Sequence, residues 1–279
     1  MEVRLALVEP DAGRAARLAE RAFARIEALE AVLSDWRPTS EVRRLESAPV
    51  GAWVSISAPL RDVLALSLDV AGATDGAFDP TVGPLTALWR EADRTGRPIA
   101  DDARAIAAAR VGYRRVTLDS AGRRLRSDIQ GLRLDLGAVA KGWILDQVVG
   151  SLRDSVGGVL AEAGGDIVVA GRPPGAPGWR IAVPGQDGDS LVVLTDGAVS
   201  TSGPGAQRIL GANGDIEGHV FDPRTARGAR ADAQVTVLAA RGAVSDALAT
   251  ALTVVPNEKR AALAARFGVT ILSAPRPAK

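Results

Sequence analysis

Asp246 and Thr250 stand four residues apart in Ser245-Asp246-Ala247-Leu248-Ala249-Thr250-Ala251-Leu252, a run otherwise made of alanine and leucine. In a helix that spacing puts both side chains on one face. A carboxylate and a hydroxyl on an apolar helix cannot face a core without polar partners, so the fold has to supply them. Two readings fit. Two hard oxygen donors at this spacing suit a hard cation, most simply magnesium. Alternatively, the aspartate belongs to an N-terminal turn and the threonine bonds back to its own helix.

Composition narrows what surrounds this helix. At 279 residues the chain can bury a full core, as one large domain or two intimate lobes. Lys plus Arg is 34 against 33 Asp plus Glu, a balance that argues against a non-specific nucleic-acid binder. The pairs Arg43-Arg44, Arg114-Arg115 and Arg123-Arg124 are flanked by apolar residues and read as solvated edges. Four Phe, five Trp and one Tyr are too few for an aromatic nucleic-acid platform. With no cysteine, a disulfide framework, a thiolate metal site and a lipidated N-terminal cysteine are excluded. No apolar run reaches membrane-span length. The first 30 residues carry charges throughout rather than a signal peptide's apolar core. The expected location is cytoplasmic, the alternative being the mature part of an exported protein.

Periodicity gives a strand at 3–8, then a helix capped by Asp11 with Leu18, Ala22, Ile26, Leu29 and Leu33 on its apolar stripe. A second helix follows Pro59, then a glycine-rich loop at 72–84 and a short helix at 102–110. Strands are expected at 114–119, 123–128 and 131–136, and a helix from near Ala140 to about Ser155. Further strands fall at 159–163, 166–171, 179–184, 191–196 and 235–239; helices at 243–255 and 257–267; a last strand at 269–273; residues 274–279 read as a frayed tail. The order lacks a βαβ rhythm and several strand pairs look like hairpins. The class is α+β, with mixed or antiparallel sheets and packed helices in one unit spanning 1–279.

Phe78-Asp79-Pro80 is echoed by Phe221-Asp222-Pro223, each followed by a threonine and then a glycine. Aspartate before proline favours an extended or turn conformation and can bond to the amides that follow, so the echo can mean two similar turns. Glycine-dense loops also let backbone approach a phosphate or a planar ring. In Leu134-Asp135-Leu136-Gly137-Ala138-Val139-Ala140-Lys141-Gly142 a strand delivers Asp135, a glycine turn follows and a helix begins. Free amides at a helix start attract anions and Lys141 adds a point charge; a tight turn with a surface lysine explains the same residues. A carbonyl in that turn, such as that of Ala138, is free for a cation. His219 is the only histidine, so a His-rich zinc site is excluded. It can be a base or a satisfied turn residue.

Taken in order, these segments resemble the ApbE family of magnesium-dependent FAD:protein FMN transferases. The resemblance runs from about residue 30 to residue 255. It is carried by Leu33-Ser34-Asp35-Trp36-Arg37-Pro38-Thr39-Ser40-Glu41-Val42, by Thr74-Asp75-Gly76-Ala77-Phe78-Asp79-Pro80-Thr81-Val82-Gly83-Pro84, and by Asp135 to Gly142. Gly164-Gly165-Asp166, Thr201-Ser202-Gly203, His219-Val220-Phe221-Asp222-Pro223-Arg224-Thr225 and Ser245 to Thr250 continue it. Pro204-Gly205 stands where the family commonly has an acidic–aromatic pair.

The resemblance implies roles residue by residue. Asp246, Thr250 and the Ala138 carbonyl match the family's magnesium ligands. Trp36, Ala77, Phe78, Asp79, Asp135 and Lys141 match its FAD contacts, and His219 matches a histidine implicated in activity. The implied reaction moves FMN from FAD to a Thr or Ser hydroxyl of an acceptor flavoprotein and releases AMP. His219 or Asp79 would take the hydroxyl proton. The same site with water as nucleophile would be an FAD pyrophosphatase, and without turnover a flavin-binding protein.

Overall fold

Strict alternation of inward and outward residues builds the central sheet. In the computed structural model, which describes residues 2–184, 190–203, 208–210, 216–229 and 234–273, strands β1 (Arg4–Val8), β2 (Val54–Ser55), β3 (Val116–Asp119), β4 (Arg124–Ser127), β5 (Gly158–Ala163), β6 (Asp166–Gly171), β7 (Trp179–Val183), β8 (Ser190–Leu194), β9 (Asp196–Ser202), β10 (Arg208–Leu210), β11 (Ile216–Gly218), β12 (Phe221–Asp222), β13 (Arg227–Gly228), β14 (Val235–Ala239) and β15 (Thr270–Ser273) are found. The helices are α1 (Ala12–Leu33), α2 (Glu41–Arg44), α3 (Ala58–Ala73), α4 (Gly83–Thr95), α5 (Asp101–Ala108), α6 (Gly137–Leu152), α7 (Gly242–Val254) and α8 (Asn257–Phe267). The main sheet has the order β1-β5-β6-β9-β14-β15. All its pairings are antiparallel, and the fold is α+β.

Val159, Ala161, Val168, Ala170, Ala198, Val235 and Val237 point from this sheet into the main core, where α6 and α7 cover it and α1 and α3 close the outer side. Val169 and Val199 point the other way, against Ile181 and Val183 of the β7–β8 hairpin. Both α6 and α7 are therefore apolar nearly all round. They meet where Gly142 and Gly242 lie backbone to backbone: a Cβ on Gly142 would fall 2.1 Å from the Gly242 carbonyl oxygen. The start of α7 is capped from outside its own chain segment. Asp146 of α6 accepts the Gly242 and Ala243 amides at 2.6 and 3.0 Å. A smaller apolar cluster joins Leu85, Trp89 and Ala92 of α4 to Ala107 of α5 and to Ile209, Phe221 and Ala226.

Asp11 caps α1 as expected, accepting the Arg14 amide at 2.8 Å. Four expectations need correction. Residues 83–95, given no element by the sequence pattern, form α4, which ends on Gly96 at φ 67°. Residues 131–136, expected as a strand, do not pair as one. Leu132, Leu134 and Leu136 are buried alternately, which gives a strand's period, but the Asp135 amide bonds to the Pro80 carbonyl at 2.9 Å instead of a ladder. Helix α6 starts at Gly137, so Ala138 lies in its first turn and not in a preceding loop. The strand expected at 191–196 divides into β8 and the start of β9. The proposed tail at 274–279 and Pro204-Gly205 lie outside the described residues.

Candidate active site

The polar face of α7 finds its partners on the sheet and on α6. Ser200 and Ser202 share the inward parity of β9. Ser200 Oγ meets Ser245 Oγ at 2.8 Å, and Thr250 Oγ1 donates to Ser202 Oγ at 3.1 Å. Thr250 thus turns to the sheet and the cavity rather than back to its own helix. Asp246, 3% exposed, accepts the Gly142 amide at 3.2 Å on Oδ2. Lys141 reaches down between two carboxylates. Its Nζ lies 3.1 Å from Asp166 Oδ2 and 3.3 Å from both Asp246 oxygens, and donates to the Gly137 carbonyl at 2.6 Å.

This floor carries one positive and two negative groups. Burial, together with the nearby Asp166 charge, pushes the Asp246 carboxyl up to about 7, although Lys141 and the Gly142 amide pull it down. Burial opposes the Lys141 charge, but Asp246 and Asp166 outweigh it and hold the ammonium above the ordinary lysine range. The lysine expected to face a phosphate freely is thus engaged by carboxylates. Among the described residues no three His, Cys, Asp or Glu side chains gather as a metal cluster. A cation here would need a mixed donor set: the Asp246 carboxylate, the Thr250 hydroxyl and the Ala138 carbonyl. Those hard oxygens, beside a floor short of one positive charge, fit a hard cation that keeps several of its waters.

The Gly76–Asp79 loop forms one wall. Asp79 Oδ1 accepts the Thr81 amide at 2.8 Å and the Thr81 hydroxyl at 2.6 Å, and Oδ2 accepts the Tyr113 amide at 2.8 Å. Burial raises its pKa against these bonds. With three donors already on its two oxygens, Asp79 is an anchor for the loop. The second Phe-Asp-Pro segment turns in the same way, Asp222 Oδ1 accepting the Arg224 amide at 3.0 Å. The echo in sequence is thus an echo in turn geometry, and Phe78, Asp79, Phe221 and Pro223 line the same cavity.

A further wall is held by Arg90 of α4, which the sequence did not single out. Its Nη1 lies 2.6 Å from Asp35 Oδ2, its Nη2 3.6 Å from Asp135 Oδ2, and its guanidinium carbon 3.8 Å from the centre of the Trp36 ring. Burial and the Asp135 charge raise the Asp35 pKa; Arg90 lowers it. Asp135 Oδ1 also accepts the Gly137 amide at 2.9 Å, taking up one of the free amides at the start of α6. The His219 ring meets Trp89, the neighbour of Arg90 on α4, edge-on at 6.0 Å between centroids.

All these walls enclose one cavity of about 1120 Å³. Trp36, Ala77, Phe78, Asp79, Asp135, Ala138, Lys141, His219, Asp246 and Thr250 all line it. Sequence reasoning missed Arg90 and the part played by Asp166, which also line it. Asp166 was quoted only as the end of Gly164-Gly165-Asp166, one of the segments that carry the resemblance, without a role of its own. Such a space accommodates a dinucleotide, being at the upper end of small-molecule pockets.

Comparison with known proteins agrees with this picture. The model of the ApbE family matches residues 1–272. An FAD:protein FMN transferase of Rhodobacter capsulatus is 36% identical over 242 residues, which is 84% of this chain but 46% of that protein. The chain therefore spans about half the length of that relative. One from Klebsiella pneumoniae is 28% identical over 96% of this chain and 79% of its own. The apo crystal structure of the Pseudomonas stutzeri flavinyl transferase ApbE superposes with a TM-score of 0.81 at 27% identity, covering 97% of this chain and 89% of that one.

Proposed function

The chain belongs to the ApbE family, and on that premise we propose that it is a magnesium-dependent FAD:protein FMN transferase. The acceptor is a Thr or Ser hydroxyl of a flavoprotein, and AMP is the leaving group. The observation that carries this reading is the convergence of Asp246, Thr250, Lys141, His219, Trp36 and the Gly76–Asp79 loop on one cavity.

In the proposed reaction the acceptor's hydroxyl oxygen bonds to the FMN-side phosphorus, the bridging P–O bond breaks and AMP departs. Such transfers depend on positioning and charge neutralisation more than on covalent chemistry. Asp246, Thr250 and the Ala138 carbonyl would hold magnesium, which supplies Lewis-acid neutralisation of pyrophosphate oxygens. Lys141 carries the fixed positive charge at the cavity floor. Trp36, with most of its ring exposed, offers a planar surface for stacking. His219 takes the hydroxyl proton, since the Asp79 oxygens are already committed to three donors.

One incubation with FAD, magnesium and a candidate acceptor flavoprotein tests the reading. A fluorescent acceptor band on a denaturing gel is expected. AMP release without that band would mean FAD hydrolysis, and bound FAD without product would mean flavin binding alone; either overturns the transferase reading.

A further inference from the structure

The His219 segment is tied down by a single buried carboxylate. Glu217 on β11 is 2% exposed. It receives two parallel bonds from Arg104 of α5, Nη1 to Oε2 and Nη2 to Oε1, each 3.0 Å. The same carboxylate accepts the Gly228 amide at 3.1 Å and Arg227 Nη1 at 3.4 Å. Arg104 Nη1 also donates to the Ala226 carbonyl at 2.7 Å. One guanidinium therefore grips both ends of the segment 217–226, from a helix that lies 113 residues away from Glu217 along the chain. His219 lies inside that segment. Neither Arg104 nor Glu217 lines the cavity.

A buried ion pair is a poor source of net stability, because desolvating both charges consumes most of their attraction. What a planar fork on a carboxylate does supply is direction: two parallel bonds fix the relative orientation of the groups that carry them. Apolar packing supplements this, since Phe221 and Ala226 of the same segment pack with Trp89 of α4 and Ala107 of α5. Trp89 in turn touches the His219 ring.

We propose that the Arg104–Glu217 pair is the positioning element of His219, fixing the direction in which the segment after β11 presents the imidazole to the reacting hydroxyl. This rests on the reading of the cavity as a flavin-transfer site with His219 as its base. A misplacement of about 1 Å in such a group can cost on the order of 100-fold in rate.

The test uses the full chain with two variants, Arg104→Lys and the double Arg104→Met/Glu217→Gln. Lysine keeps the charge but not the fork. The double variant removes both charges and keeps an acceptor for the Gly228 amide. Because His219 is the only histidine, its imidazole resonances report on this group alone. In Arg104→Lys we expect kcat for transfer to fall roughly 10- to 100-fold, with KM for FAD changed less than about twofold. The imidazole shift and titration midpoint should move. The double variant should keep its melting temperature and still lose kcat. A folded Arg104→Lys with wild-type kcat and an unmoved imidazole titration overturns the proposal, as does a double variant with wild-type kcat. If neither variant folds, the pair is structural support only and the proposal is likewise overturned. A wild-type chain that transfers no FMN would overturn the functional reading instead, and the imidazole measurement would still decide the positioning.

Discussion

Arg90 stacks on Trp36, its guanidinium carbon 3.8 Å from the ring centre, while its nitrogens reach Asp35 and Asp135. One face of the indole is thereby held from within the protein, and the ring stays largely open to the cavity. A cation–π contact of this kind is worth about 1 kcal/mol. Arg90→Met should weaken FAD binding about fivefold while leaving the transfer rate at saturating FAD close to wild type. FAD titrations followed by tryptophan quenching, with Trp36→Phe as control, measure this; unchanged affinity would show that Trp36 needs no such support.

Asp246→Ala keeps a good helix former and removes the anionic ligand. Turnover should collapse while the circular-dichroism spectrum and cooperative melting survive. Thr250→Val should be milder, because it removes a neutral donor and keeps the shape. Near wild-type, magnesium-dependent transfer by Asp246→Ala would dismiss the proposed metal ligand.

The pH dependence of stability has a definite sign. Burial lifts Asp35, Asp79 and Asp146 above their ordinary 3.8, and Asp246 to about 7. Between about pH 4 and pH 7 the folded chain therefore keeps protons that the unfolded chain has released, so stability falls as pH rises. The raised Lys141 contributes a constant amount in that window, since it stays charged in both states. The metal-free protein should melt at a higher temperature at pH 5 than at pH 7.5, and Asp246→Asn should flatten the slope. A melting temperature that climbs from pH 5 to pH 7.5 contradicts this.

Lys141→Met retains the apolar stem and leaves Asp166 and Asp246 without their shared cation. Lys141 keeps 29% of its side chain exposed, so the cost falls below the about 3–5 kcal/mol of breaking a fully buried pair. The metal-free variant should melt earlier, recover with magnesium, bind FAD more weakly and need more magnesium for turnover. Melting curves and FAD titrations across a magnesium series would show it. If both match wild type, the ammonium has no electrostatic part in the site.

His219→Ala should still bind FAD, because in the proposed site magnesium and Lys141, not the imidazole, would meet the pyrophosphate charge. Its transfer rate should drop by roughly 10²- to 10⁴-fold if the imidazole accepts the hydroxyl proton. An unchanged rate with weaker FAD binding would make it a contact residue.

The α+β class and the polar face of α7 were readable from the sequence, while the contacts that join distant segments around the cavity were not. Asp246 and Thr250 were legible because helical spacing alone puts them on one face. Arg90 was not, since its partners Asp35, Trp36 and Asp135 lie in two distant segments that only packing unites. The pairing of Lys141 with Asp166 and Asp246 was hidden for the same reason, Lys141 and Asp246 being 105 residues apart. At 131–136 the alternating leucines gave a true period of two, but periodicity cannot say whether a neighbouring strand exists. Helix α4 was lost behind Gly83-Pro84, which read as more of the glycine loop although proline is well suited to a helix's first turn.

The Gly142–Gly242 contact sets how the site can vary. Lys141 and Asp246 each stand within four residues of a point where two helices touch without any side chain between them. Repacking elsewhere in the core cannot retune their separation gradually. Any side chain at either glycine acts as a wedge, because even a methyl group at Gly242 would come within 2.6 Å of the Gly142 carbonyl oxygen. Attempts to redirect such a protein should therefore start away from that contact, at Trp36, which is 71% exposed, where a change of shape need not move the buried charges.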